Sequence, residues 1–268
     1  MIGETVAGRY EILRQLGEGG MGAVFEAKQI TTGRRVALKV IHPGRIQSKQ
    51  MLGRFEIEAR AAGSLESEHV VQVFDVGVDE ARRMPFFAME LIQGEDLSAV
   101  LARQKRLAPE IALRIGAQIC MGLEKAHAQG IVHRDIKPAN LILAERDGGQ
   151  RRMKIVDFGL AKIFAEDGAD GLAAKGLTVT GMLLGSPQYM SPEQASASKR
   201  IDARTDVWSL GMVLYELVTG RSAFEEITTL PKIVEAITTR PVPPIRSIAP
   251  DVEAPVAEVI ERALRIDP

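Results

Sequence analysis

Short apolar runs of strand length fill the first third of the chain, and longer runs with three- to four-residue apolar spacing fill the rest. YEILRQLG, AVFEAKQI and RRVALKVI are rich in β-formers and are separated by the turn signals GEGGMG and TTGR, which predicts three strands. QMLGRFEIEARAAGSL then places Met51 or Leu52, Phe55, Ala59 and Ala62 on one face and predicts a helix. VVQVFDVGVD and PFFAMELI return to strand character. Five strands and one main helix make a small N-terminal lobe over 1–91. The pattern changes near 92–96. LSAVLARQKRL and PEIALRIGAQICMGLEKAHAQG predict helices, the second opening on Pro109, where a missing N–H costs nothing. Two β-favouring runs, at 131–132 and 141–143, enclose the charged stretch HRDIKPAN, and LILA and MKIVDF predict short strands. Residues 161–186 show no clear period; helical spacing resumes at SPEQA, RTDVWSLGMVLYELVTG and LPKIVEAITT, and the Pro-rich RPVPPIRSIAP predicts a loop. The fold class is α+β, with a mainly helical second lobe over 92–268.

Composition narrows the function without naming it. A chain of 268 residues, 46% hydrophobic and 26% charged, has room for one large domain or two lobes and is not disordered. Lys plus Arg is 34 against Asp plus Glu 35, so no polybasic surface for nucleic acid or membrane is implied. Cys120 is the only cysteine, which excludes an internal disulfide and a cysteine-based metal site and points to a reducing compartment. Its apolar neighbours predict a small buried hydrophobe. MIGETVAGRY has neither a basic nor a long apolar leader region, and SLGMVLYELV at 209–218 is too short to span a bilayer and carries Glu216. The reading is a soluble cytoplasmic chain without a membrane segment or a nucleic-acid partner.

LGEGGMGAV sets Gly17, Gly19 and Gly22 in G-x-G-x-x-G spacing. A P-loop would need Gly-Lys-Ser/Thr, and Ala-Val follows instead. A dinucleotide fold would need a helix, and AVFEAKQI reads as a strand. A glycine turn between two strands fits best, and it lets backbone N–H groups approach phosphates closely. Lys39 stands in the apolar run VALK, either as a snorkelling residue at a strand edge or as a cation for phosphate oxygens. In the second case it needs an acidic partner; Glu58 is the best placed candidate and Glu56 the rival.

A hairpin turn has no need of His133, Arg134, Asp135, Lys137 and Asn140 together. Asp135, Asn140 and Asp157 of KIVDFGLA offer oxygen ligands of the kind magnesium takes, which uses one or two protein carboxylates beside water and phosphates. Asp135 is then left to orient a hydroxyl nucleophile, and Lys137 to neutralise a moving phosphoryl group.

At this point the chain resembles the protein kinase family. Gly17–Val24 in G-x-G-x-x-G-x-V, VALK at 36–39, HRDIKPAN at 133–140, DFG at 157–159 and SPE at 191–193 match its signature set in order. KPAN with GSPQYMSPEQ is most similar to the bacterial eukaryotic-like (Hanks-type) serine/threonine kinases. The resemblance implies a bilobal fold, ATP and Mg²⁺ (or Mn²⁺) as cofactors, protein substrates, and a possible homodimer during autophosphorylation. It implies that Lys39 contacts the α- and β-phosphates and pairs with Glu58, that Asp135 is the catalytic base, that Asn140 and Asp157 hold the metal, and that Lys137 meets the γ-phosphate. Leu16, Gly17, Gly19, Gly22, Val24, Ala37 and Ile142 would enclose the nucleotide. Met89 would be the gatekeeper, Glu90 and Ile92 would offer hinge backbone groups to adenine, and Asp96 would reach the ribose.

Structural roles are implied for His133 against Phe158, for Asp206 under the catalytic-loop backbone, and for Ser186 and Trp208. Arg134 would bind a phosphorylated activation segment spanning 157–193, with Thr178 and Thr180 as the acceptor candidates. The chain ends where the family continues through an arginine expected to pair with Glu193, so Glu193 is expected to lack a partner. A binding scaffold and a small-molecule kinase are the competing functions; GSPQYMSPE, a peptide-docking element, speaks against the second.

Overall fold

The computed structural model describes residues 1–19, 22–42, 49–158, 187–198 and 200–266, without the side chains of 49, 50, 54, 56, 58 and 147. Gly159, Thr178, Thr180 and Ser186 lie outside the described residues, as does the side chain of Glu58.

The first sheet contains the five expected strands and one more. β1 (Thr5–Val6), β2 (Tyr10–Gly19), β3 (Gly22–Gln29), β4 (Arg35–Ile41), β5 (Val73–Asp79) and β6 (Met84–Met89) lie in the order β1-β2-β3-β4-β6-β5, all antiparallel. The added β1 is a two-residue edge strand, too short for a periodic pattern to announce it. Lys39 lies on β4, between β3 and β6, and is 7% exposed, so it is not a snorkelling residue at a sheet edge.

Strand alternation divides the sheet residues between two faces. Phe25, Leu38, Val40, Phe86 and Ala88 join Tyr10 and Ile12 in one core. Helix α1 (Lys49–Gly63) covers the other face, where Phe55 and Ala59 pack on Ile41 and Phe87. Phe55 and Phe87 meet edge to face with centroids 4.7 Å apart.

A second sheet, β7 (Gly94–Asp96), β8 (Leu141–Glu145) and β9 (Arg151–Ile155), starts the helical part. Asp96 ends β7 and caps α2 (Leu97–Gln104) by accepting the Ala99 N–H at 3.0 Å. Helix α3 (Pro109–His127) begins on the predicted proline. Its buried stripe runs Ala112, Ile115, Ile119, Leu123 and Ala126. Cys120 is about 100° round the helix from Ile119 and is exposed, which corrects the buried placement expected from its apolar neighbours.

Four more helices follow: α4 (Pro192–Ala195), α5 (Arg204–Thr219), α6 (Leu230–Thr239) and, after a Pro-rich connection, α7 (Ile245–Ile248); α8 (Ala254–Ala263) completes the described helices. Helix α5 is buried on nearly all sides, including Trp208 and Tyr215, and forms the centre of the larger core. RPVPPIRSIAP is therefore not all loop, because Ile245 folds into that core and closes a helical turn. Residues 131–132 form no strand; Ile131 packs into the core instead.

Candidate active site

The loop between α3 and β8 is built by alternation of inward and outward side chains. His133, Ile136, Pro138 and Asn140 are buried, while Arg134, Asp135 and Lys137 are half-buried. His133 lies edge to face on Phe158 with centroids 4.6 Å apart. Its Nε2 is 2.8 Å from the Val156 carbonyl and its Nδ1 accepts the Asp135 N–H at 3.2 Å. A carbonyl can only accept and an amide can only donate, so the ring is held as the Nε2–H tautomer with both nitrogens in use.

Asp206, fully buried at the start of α5, accepts the His133 and Arg134 N–H groups, each at 2.8 Å, and faces His127 Nε2 at 2.8 Å. These bonds hold Arg134 at φ 65°, a left-handed value that costs a non-glycine residue about 1–2 kcal/mol. The Arg134 carbonyl accepts from Gln194 Nε2 at 2.8 Å, which ties α4 to the loop. Among the described residues the buried Arg134 Nε has no hydrogen-bond partner.

Lys137 and Asn140 converge on one carboxylate. Asp135 Oδ2 accepts from Lys137 Nζ at 2.7 Å and from Asn140 Nδ2 at 2.9 Å, and the same amide also donates to the Asp135 carbonyl at 2.8 Å. With Nδ2 spent twice on Asp135, Asn140 Oδ1 is the remaining acceptor of that amide. Asp157 follows β9 at φ 66°, two residues past the strand end, and its Oδ2 pairs with Lys39 Nζ at 2.7 Å. Burial raises the Asp157 carboxyl, but Lys39 beside it and Lys137 beyond outweigh burial and hold it below the ordinary carboxylate range. Lys39 thus has Asp157 as its described partner.

Cross-strand register explains how Lys39 reaches this place. It stands opposite Val24 on β3 and Phe87 on β6, and Ala37, two residues earlier on the same face, stands opposite Met89. Ala37, Met89 and Val71 form an apolar patch with Val24, Ile92 and Val156. Ile142 and Leu16 are not part of that patch: Ile142 is half-buried on β8, and Leu16 is exposed on β2. Glu90 donates its backbone N–H to the Gln72 carbonyl at 2.9 Å.

The glycines have different duties. Gly17 and Gly19 lie on β2 with open space where a side chain would be. A Cβ on Gly22 would lie 1.9 Å from the Val40 carbonyl oxygen, so this glycine is needed for the close approach of β3 to β4.

Glu193 is not left without a partner, contrary to expectation, because the Thr205 hydroxyl donates to its Oε1. Sequence reasoning also missed Gln194 and Lys154. Lys154 carried a visible signal, a charge inside the apolar run MKIVDF.

Among the described residues no group of three or more His, Cys, Asp or Glu could hold a metal alone. A carboxylate and an amide oxygen fit a cation that completes its shell from phosphates and water. No helix among the described residues is long and apolar enough to cross a membrane.

Residues 10–268 match the protein kinase domain family. The chain is 39% identical over 261 residues to serine/threonine-protein kinase Pkn1 of Myxococcus xanthus, covering 97% of this chain and 36% of that protein. It is 38% identical over 270 residues to serine/threonine-protein kinase PknA of Mycobacterium tuberculosis, covering 100% of this chain and 59% of that protein. The chain therefore spans about 36% to 59% of the length of these relatives. The solved PknI kinase domain of Mycobacterium tuberculosis superposes with a TM-score of 0.75 at 26% identity, covering 99% of this chain and 90% of that one. A curled sheet joined to a helical lobe, with a match across nearly the whole sequence, establishes that this chain belongs to the protein kinase domain family.

Proposed function

We propose that this domain transfers the γ-phosphoryl group of ATP to serine and threonine hydroxyls of proteins, its own activation segment among them. The observation that carries the proposal is Asp135: one carboxylate oxygen is held by Lys137 and Asn140, and among the described residues nothing bonds the other, which can accept a hydroxyl proton. In this reading Asp135 orients the attacking hydroxyl as catalytic base. Lys137 follows the charge of the transferring group, and Lys39 turns from Asp157 toward the α- and β-phosphates. Glu58 is its proposed second partner. Asp157 and Asn140 Oδ1 are the residues to hold a divalent cation, magnesium with manganese as a substitute. When bound, that cation neutralises phosphate charge. The apolar patch of Val24, Ala37 and Met89 supports adenine binding, with Ile142 and Leu16 closing over it and backbone groups of Glu90 and Ile92 at the hinge. Gly17, Gly19 and Gly22 cover the phosphates, and Asp96 keeps one oxygen beyond its capping bond for the ribose.

Arg134 is the proposed receiver of a phosphate on Thr178 or Thr180, since its buried guanidinium nitrogen has no described partner. Ser186, Glu193 and Phe158 act structurally in this reading. The lobes divide at 91/92, the location is cytoplasmic, and two copies meet during autophosphorylation.

The test is phosphopeptide mass spectrometry after incubation with MgATP, with Asp135→Asn and Lys39→Met beside the wild type. Phosphate on Thr178 or Thr180 in the wild type alone is expected. Equal labelling of Asp135→Asn would remove Asp135 from the chemistry. No labelling of the wild type, with nucleotide binding intact, would favour a binding scaffold.

A further inference from the structure

One nearly dry charge has no part in the chemistry above. Lys154 on β9 is 4% exposed, and its ammonium donates to Glu90 Oε2 at 2.5 Å and to the Val70 carbonyl at 3.3 Å. Three chain segments meet at that nitrogen. The first is 69–71, bonded to β9 through Ile155 N–H to the His69 carbonyl and Val71 N–H to the Ile155 carbonyl, both at 2.9 Å. The second is the hinge, which Glu90 opens directly after β6. The third is β9 itself, whose chain reaches Asp157 three residues after Lys154. The pair is asymmetric: the Lys154 side chain is 5% exposed and that of Glu90 29%, on the edge of a cleft of about 420 Å³. A buried ammonium is costly without a counter-charge, and here the partner is the hinge glutamate.

We propose that Lys154 is a positioning residue for ATP. Through Glu90 it sets where the hinge backbone stands relative to the strand that delivers Asp157. The proposal rests on the reading that hinge backbone groups bind adenine. Lys154 touches no substrate, so its removal acts on nucleotide affinity rather than on the chemical step.

The experiment compares wild type, Glu90→Gln, Lys154→Met and the double variant by three readouts. These are KM for ATP against kcat, Kd for a non-hydrolysable ATP analogue by calorimetry, and melting temperature. Each single variant is expected to raise KM and Kd for the nucleotide about five- to tenfold while kcat stays within about twofold, the split expected when binding and not chemistry is lost. The double variant strands no charge, so its melting temperature recovers toward wild type while nucleotide affinity stays weak. Recovery of affinity together with stability would reduce the pair to a structural one and overturn the proposal, as would wild-type affinity in both single variants. The double variant supplies a folded protein if a single one fails to fold. Wild type that binds the analogue but turns over no ATP would overturn phosphoryl transfer while still testing the tether through Kd. Wild type that does not bind the analogue would overturn both.

Discussion

Asp206→Asn is the most informative single change, because it alters one buried atom and leaves the shape of the side chain. The carboxylate accepts the His133 and Arg134 N–H groups on its two oxygens, each at 2.8 Å. An asparagine keeps one acceptor oxygen and turns an NH2 toward a backbone N–H, donor against donor. A hydrogen bond to a charged acceptor contributes about 1.5–3 kcal/mol, and a stranded buried donor costs about 1–3 kcal/mol. These overlap, so the expected loss is about 3 kcal/mol, or roughly 6–12 °C in melting temperature for a domain of this size. Activity should fall further than stability alone explains. Arg134 at φ 65° is held by those same bonds, and once released it relaxes and moves Asp135. A kcat at least about tenfold lower is expected, equivalent to about 1.4 kcal/mol of positioning. The assays are thermal unfolding followed by circular dichroism, and steady-state phosphorylation at a temperature where the variant stays folded. A melting temperature within about 2 °C of wild type together with a kcat within about twofold would show that Asp206 does not hold the loop.

Three smaller tests use other parts of the molecule. Gly22→Ala should destabilise the domain by about 2 kcal/mol or more in thermal unfolding, because its Cβ would enter the Val40 carbonyl oxygen and push β3 from β4. Asp157 has a depressed folded pKa, so its stabilising contribution is present above the unfolded carboxylate value near 4 and is lost as pH falls through the lower folded value. Acid titration of wild type against Asp157→Asn should therefore show the stability gap narrowing below about pH 4, and a constant gap would contradict the Lys39 pairing. Cys120 is exposed, but partial burial raises its thiol pKa, so it should react with a disulfide reagent without denaturant, slowly at neutral pH and faster as pH rises.

Much of the architecture was legible because it depends on near neighbours in the chain. LPKIVEAITT repeats its apolar residues at helical spacing and folds as Leu230–Thr239, and Pro109 starts α3 because a missing N–H is harmless only in a first turn. The glycine turn joins two strands in register, with Gly19 opposite Gly22. The family motifs were equally legible, since residue types and spacing can be read whether or not the packing is known.

What the tertiary structure decided was the direction and the partner of each side chain. Cys120 and Ile119 are adjacent in an apolar run, yet the neighbour packed against α3 buries one and leaves the other to solvent. Residues 131–132 have strand-forming side chains and make no strand; the loop they enter is fastened at His133 and Arg134 by Asp206, more than seventy residues away. Lys39 and Lys154 are both charges in apolar strands, but one meets Asp157 and the other Glu90. Periodicity reports only which face a residue can take, over a few residues of chain. Which charge stands opposite which depends on how distant segments pack, and burial then makes the pairing obligatory, because an ammonium removed from water must meet a carboxylate.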